Sequence, residues 1–556
     1  MDKITIRLED GRTIERPAGT RAGDILDSPL SGDGLPYVAA MVNNNVASLS
    51  YPLAANCRVR FLTMADPHGW RVYRNSLCFL LAMTVRRMFP KAVFAVEHSF
   101  GPGLYCSFYA KEGAPERISR SQVALLEKRM RMLVQRNLPI ERRKIGYAEA
   151  VERFSRNGEA DKLNLLRHRN PPHVVIHVCG NFSDVAHGPL AHSTGALSRF
   201  KLIPYPPGFI LHLPERENPK RLPRFQDQPN LFHIFQEHKE WGRILGVTNV
   251  GRLNEIIAAG EMENFVLIAE ALHEKKLAFI AERISRLSRR VRMILVAGPS
   301  SAGKTTFAKR LAVHLRVNGL RPVTLATDDY FVGPEQTPRD EDGNLDYEHI
   351  EAVDIKLLNR QLSSLIAGRK VRTPKFDFKT RRRVFSETEL TLEPDQILII
   401  EGIHGLNPRL IPGVPRKAAF KIYVSALTQL NLDYHNRIST TDNRLMRRMV
   451  RDVQFRGYSA LETLQRWPSV RRGEKRWIFP YQREADATFN SALDYELAVL
   501  KPIVEPLLME VKPTQAEYAE ARRLSEFLLN FRPAPAAIVP SQSILREYIG
   551  GSIFRY

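Results

Sequence analysis

Apolar and polar side chains alternate through ITIRLEDGRTIERPAG (4–19) on both sides of Asp10-Gly11, which predicts a two-stranded hairpin. YVAAMV (37–42) and CRVRFL (57–62) alternate again, so residues 1–65 read as a small sheet with one short helical segment. Helical periodicity appears next at 75–88 and 120–136, and HVVIHVCG (173–180) reads as a strand. Further helical patterns fill 231–287, where VGRLNEII (250–257) is expected to pack on the α/β unit beyond it. The pattern then changes to short apolar runs, MILVA (293–297), RPVTLA (321–326) and QILIIEG (396–402), the first of them leading into an amphipathic helix stopped by Asn318-Gly319.

A chain of 556 residues is too long for one core. The pattern divides it into 1–65, 66–225, a helical connector at 226–288, an α/β unit at 289–515 and a helix with a tail at 516–556. LPERENPKRLPRFQDQPN (213–230), rich in proline and basic residues, reads as a linker or extended arm. The tail VPSQSILREYIGGSIFRY is open between a docked short helix and an interaction peptide.

With 44% hydrophobic and 26% charged residues the usage is globular, and no apolar run reaches the ~18 residues of a membrane span, so no membrane partner and a cytoplasmic location are expected. Cys57, Cys78, Cys106 and Cys179 are too sparse for a disulfide scaffold and fit a reducing compartment. His173, His177 and Cys179 share one face of their strand, with His187 and His192 near in sequence; packed or hydrogen-bonding histidines are favoured over zinc. A net charge of +22 suits anionic partners, with RNA binding through the N-terminal modules and a merely solvated basic surface both open.

The candidate chemistry lies in ILVAGPSSAGKTTFAKRL (294–311), where Gly298, Gly303, Lys304 and Thr305 satisfy G-x-x-x-x-G-K-[ST] between a strand and a helix. Gly298, Pro299, Ser300, Ser301, Ala302 and Gly303 would cradle phosphates with backbone N–H groups, and the helix N-terminus adds positive potential. Lys304 would bind the β/γ-phosphates, Thr305 would offer its hydroxyl to Mg²⁺, and Thr306 adds a phosphate contact.

Ligands in parallel α/β sheets sit beyond the C-terminal ends of strands, which places Asp328, after RPVTLA, and Glu401, ending QILIIE, beside the phosphates. Asp328 can accept a hydroxyl proton or hold Mg²⁺ through water; Glu401 fits an acid near the metal. TDNRLMRRMVRDVQFRG predicts a helix with Arg444, Arg448 and Arg451 in a row, Arg447 adjacent and Arg456 beyond, read as mobile guanidiniums of a closing lid.

This constellation resembles the uridine kinase and phosphoribulokinase family of P-loop kinases over about 291–511. The motifs occur in order: GPSSAGKTT, LATDDYF, LDYEHIEAVD, KFDF, IIEGIHGL, RRMVRD-x₃-RG and READ. The resemblance implies a parallel sheet flanked by helices, ATP and Mg²⁺, and phosphorylation of a nucleoside 5′-hydroxyl. It makes Asp328 the general base, Glu401 a metal-shell acid, Asp346 a ribose ligand, and Arg448, Arg451 and Arg456 stabilisers of the γ-phosphoryl. Phe376 would stack on the base, whereas Arg381 stands where uridine kinases carry a histidine that reads the pyrimidine, so nucleoside kinase is better supported than uridine specificity.

The first module resembles the TGS domain, a β-grasp unit, and LEKRMRMLVQRNLPIERRKIGYAEAVERF resembles the α+β editing domain of threonyl-tRNA synthetase. Positions where that family carries its hydrolytic His and Cys groups hold Asn75, Phe79, Ala186 and Leu190, so the fold is expected without the editing chemistry. Alternatives are a kinase of another small or phosphorylated sugar alcohol, given Arg381, Arg382 and Arg383, and an ATP-sensing RNA- or ribosome-binding regulator; homo-oligomerisation is open.

Overall fold

The structure is a computed structural model that describes residues 2–109, 115–288, 290–428 and 430–555. Its centre is a five-stranded sheet, every neighbouring pair parallel, in the order Arg321–Ala326, Gln396–Glu401, Met293–Ala297, Ala419–Ser425 and Ala487–Asn490. Side chains two apart on a strand share a face. Ile294, Val296, Ile397 and Ile399 therefore enter one core with Phe307 and Leu311 of the helix Lys304–Val317. Met293, Leu295, Leu398 and Ile400 enter a second core with Leu358 and Leu362 of the helix Ile355–Ile366. Burial on both faces is why these strands read as unbroken apolar runs. The strands Ala419–Ser425 and Ala487–Asn490 were not singled out by the sequence pattern, and KFDF belongs to an antiparallel arm, Val371–Asp377 with Arg382–Leu390.

The N-terminal sheet runs Thr13–Pro17, Lys3–Leu8, Cys57–Leu62, Ala39–Val42, Asn45–Ala47, with its first and last long strands parallel at the centre. The next unit opens with the helix Pro67–Met88, which starts at Pro67 rather than Asn75 because the Asp66 carboxylate accepts from the His68 and Gly69 N–H groups and proline suits the first turn. Two sheets pack beside it, one containing His173–Cys179 and one the strands Val93–Phe100, Gly103–Tyr109, Lys201–Tyr205 and Gly208–His212. Phe79 meets Phe182 with ring centres 5.2 Å apart and Leu190 is fully buried, so packing fills two of the four positions at which the synthetase resemblance puts hydrolytic groups. His173 is exposed while His177 and Cys179 are buried, and burial draws the His177 pKa down to about 4. Among the described residues no cluster of three or more metal-ligating side chains forms.

Residues 213–228 are docked along the second unit: Trp70 Nε1 donates to Pro214 O at 3.0 Å, and His212 Nε2 lies 2.8 Å from Pro223 O. The helix Val250–Ala259 joins the α/β unit, with Val250 N donating to Asn431 O at 2.9 Å and Asn254 Nδ2 to Asn530 O at 2.8 Å. The loop before the arginine helix is gripped from the second unit. Val96 N donates to Tyr434 O, Tyr434 N donates to Asp161 Oδ2, and buried Asp184 lies between Lys162 at 3.1 Å and His435 at 2.5 Å.

The arginine helix spans Thr440–Arg451, and its first two arginines are structural. Arg444 is buried against Glu474 and donates from Nε to Ser300 O at 2.9 Å; Arg447, wholly buried, donates to Glu496 Oε2 at 2.6 Å. The sequence expectation of a mobile row is corrected for these two, because a buried guanidinium is retained only with partners that fix it. Glu474→Ala is expected to destabilise the fold by about 3–5 kcal/mol in urea unfolding, since it leaves the Arg444 charge buried without its carboxylate.

Candidate active site

The strand Met293–Ala297 delivers the chain into a turn whose tight path uses positive φ at Ser301 (58°) and Gly303 (78°). A Cβ on Gly298 would lie 2.0 Å from Val424 O on the neighbouring strand, so only glycine lets the loop leave the sheet there. The helix Lys304–Val317 begins without a side-chain cap from its N-cap residue, Gly303, and its first-turn N–H groups make an anion site. Lys304 folds over this loop, Nζ donating to Pro299 O at 3.3 Å.

Parallel register sets Glu401 beside Val296 on one side and Ala326 on the other, so the strand ends bring three candidate groups together. Thr305 Oγ1 donates to Glu401 Oε1 at 2.8 Å. Burial, then the nearby Asp328 charge, pushes the Glu401 pKa up to about 7 against the opposing pull of Lys304 and Thr305. Asp328 itself comes after Ala326 in the short turn Thr327–Tyr330, and its Oδ1 is buried with no hydrogen-bond partner among the described residues. Gly402 makes this approach of strands feasible: a Cβ there would fall 1.7 Å from Thr327 Oγ1.

The third arginine of the helix reaches the pocket. Arg448 Nη1 donates to Ser300 Oγ at 2.8 Å, and its Nε to Asp452 Oδ2 at 3.1 Å. Asp452, 1% exposed, also holds Arg451 at 3.2 Å and Arg456 at 3.7 Å, so one buried carboxylate gathers three guanidiniums at the mouth. The sequence reading missed Asp452.

Residues 293–498 match the Phosphoribulokinase / Uridine kinase family. This segment is a phosphoribulokinase/uridine kinase family domain. Among solved structures, that of a possible uridine kinase from Bacillus stearothermophilus is 19% identical, covering 39% of this chain and 98% of its own, with a TM-score of 0.28. A D-glycerate 3-kinase from Cryptococcus neoformans is 16% identical, covering 46% of this chain and 87% of its own, with a TM-score of 0.22. The N-terminal region is similar to threonine–tRNA ligases: 34% identity over 206 residues with that of Syntrophotalea carbinolica and 31% over 199 with that of Francisella tularensis subsp. novicida. In both cases 36% of this chain is covered, and the chain spans 31% of the length of these relatives.

Elsewhere in the kinase domain one placement, that of Phe376, differs from the sequence reading. Asp346, expected to bind ribose, accepts the Glu348 N–H on its Oδ1 at 3.0 Å and so caps a turn. Glu348 also turns inward: it is 8% exposed, its Oε2 has no partner among the described residues, and its Oε1 lies 3.9 Å from Arg448. Burial raises the Glu348 pKa, with Arg448 and Lys304 opposing. The signal that could have found this is the aspartate two residues earlier, since such a side chain tends to bond the backbone two residues on.

Phe376, expected to stack on a base, is 4% exposed and packs edge-on against Phe331 (5.6 Å) and Phe378 (5.3 Å), so its ring belongs to the core. The ring that meets a cation at the mouth is Phe378, with the Arg456 guanidinium 4.2 Å from its centre. Arg381 occupies the turn of the antiparallel arm at φ 56°, half-buried, its charge felt by the hydroxyls of Tyr347 and Tyr458. Tyr347 OH is buried without a partner among the described residues. Unpaired oxygens of Asp328 and Glu348 thus border the same region as Arg448 and Lys304.

Proposed function

We propose that the kinase domain transfers the γ-phosphoryl of ATP to the 5′-hydroxyl of a nucleoside. The observation that carries this reading is the orphaned, buried Asp328 oxygen beside the Thr305–Glu401 pair and Lys304, because an unpaired buried carboxylate oxygen is costly unless a ligand completes it. Asp328 accepts the proton of the attacking hydroxyl as the phosphoryl group arrives. Lys304 and the loop N–H groups hold the β- and γ-phosphates in line. Arg448 and Arg451, preset by Asp452, offset the charge on the group in transit, so little reorganisation accompanies transfer.

Mg²⁺ fits the donor set, which offers the hydroxyl of Thr305 and the carboxylate of Glu401 side by side with Asp328 near enough to act through water. When bound, it would spread the negative charge of the phosphates. Glu348 supplies a carboxylate acceptor for a polyol's hydroxyls. Glu348→Gln is expected to raise the acceptor KM at least about tenfold with a smaller change in kcat, as loss of a charged hydrogen bond to substrate does.

ADP release measured against uridine, cytidine, adenosine, guanosine and ribulose phosphate tests the reading. Turnover with a nucleoside alone supports it, and turnover confined to a phosphorylated sugar transfers the role to that acceptor, with Arg381 the cation to hold its phosphate. A second reading, RNA binding by the N-terminal units, is favoured by their similarity to threonine–tRNA ligases and the net charge of +22. Its test is RNA affinity that falls steeply with salt and survives Asp328→Asn.

A further inference from the structure

The end of the chain folds back onto the phosphate loop. Ser543, Ile544, Leu545 and Tyr548 are fully buried around the short helix Arg546–Ile549, and Ile544 presses on the loop so closely that a Cβ at Gly303 would lie 2.5 Å from its Cγ2. Tyr548 sits beneath Arg447 of the arginine helix, 5.2 Å from guanidinium to ring centre. Arg546 ties the hook to itself, donating to Ala536 O, Val539 O and Gly550 O, and Lys309 hydrogen-bonds the Arg555 carbonyl. From this hook the Glu547 carboxylate accepts from Thr306 N at 3.3 Å and from Thr306 Oγ1 at 2.7 Å.

Thr306 belongs to the first turn of the helix that closes the phosphate loop, where backbone N–H groups hold the α- and β-phosphates of a nucleotide. A carboxylate bonded there stands where a phosphate oxygen would stand, and two anions within hydrogen-bond distance repel strongly at a half-buried site. Lys304, Thr305, Asp328 and Glu401 lie on the β/γ side, where Lys304 bonds Pro299 O and Thr305 bonds Glu401, so the hook leaves that side to the nucleotide.

We infer that the C-terminal hook is an intramolecular competitor for the phosphoryl donor: Glu547 occupies the α-phosphate position on Thr306, and nucleotide binds only as that carboxylate withdraws. The inference rests on the donor-site reading given above. Because the competitor is tethered, it lowers apparent nucleotide affinity by the fraction of molecules in which it is released.

The test is equilibrium binding of ATP to the full chain, its Glu547→Gln variant and Lys304→Ala, with amide exchange of residues 541–555 in the wild type. Glutamine keeps the size and the acceptor oxygen while removing the charge. The expected result is ATP affinity about tenfold tighter in Glu547→Gln, with faster exchange in the hook when ATP saturates the wild type. Equal or weaker affinity in Glu547→Gln, or a hook whose exchange ATP leaves unchanged, overturns the inference and makes the carboxylate a helix cap. If wild type and Glu547→Gln both fail to bind ATP, as Lys304→Ala is expected to, the donor-site reading falls and takes the inference with it.

Discussion

Lys304→Ala should lower kcat/KM for the phosphoryl donor by about 10²- to 10³-fold, the effect of removing one preorganised positive group from developing phosphate charge. The folded state should tolerate the change. The ammonium hydrogen-bonds Pro299 O at 3.3 Å and caps the loop rather than filling a core. Steady-state kinetics and an unfolding curve on the same preparation check both halves, and near-normal turnover would remove the phosphate-binding role. Arginine at this position should not restore the rate, because its planar fork cannot act as a compact charge within this tight loop.

Asp328→Asn is expected to reduce kcat by about 10²- to 10⁴-fold while ATP affinity changes little. The substitution keeps shape but removes proton affinity, and the orphaned Oδ1 is the atom proposed to receive the proton of an incoming hydroxyl. Single-turnover measurements with saturating ATP isolate the chemical step. Unchanged kcat would leave Asp328 as a structural acid and shift the base role to Glu348, a second buried carboxylate with an unpaired oxygen at the pocket.

These two residues illustrate how far local spacing reaches. The loop from Gly298 to Thr305 and the helix after it are legible in a contiguous pattern, and Asp328 and Glu401 are legible as the ends of apolar strands, since a parallel sheet gathers strand ends at one edge. Asp346 and Glu348 lie two residues apart in an irregular segment, where no period says which side chain turns inward; the Asp346 cap on the Glu348 N–H decided it. Phe376 carried the right chemistry for stacking, yet Phe331 and Phe378 enclose it.

The arginine helix shows the same limit on a larger scale. Its spacing specified the helix and placed Arg444, Arg448 and Arg451 along it, but Glu474 and Glu496, from later in the chain, bury Arg444 and Arg447, while Asp452 turns Arg448, Arg451 and Arg456 toward the pocket.

A phosphate loop between a strand and a helix, two acids at strand ends and synthetase-like units ahead of them can all be read along the chain, because each is written in neighbouring residues or in one repeating period. Long-range packing set the rest: Glu348 turns inward with an unpaired oxygen, Arg444 and Arg447 are tied up by Glu474 and Glu496, and Glu547 meets Thr306 from 241 residues away. Those outcomes depend on which distant side chains compete for the same buried charge, and that competition is resolved when the chain packs.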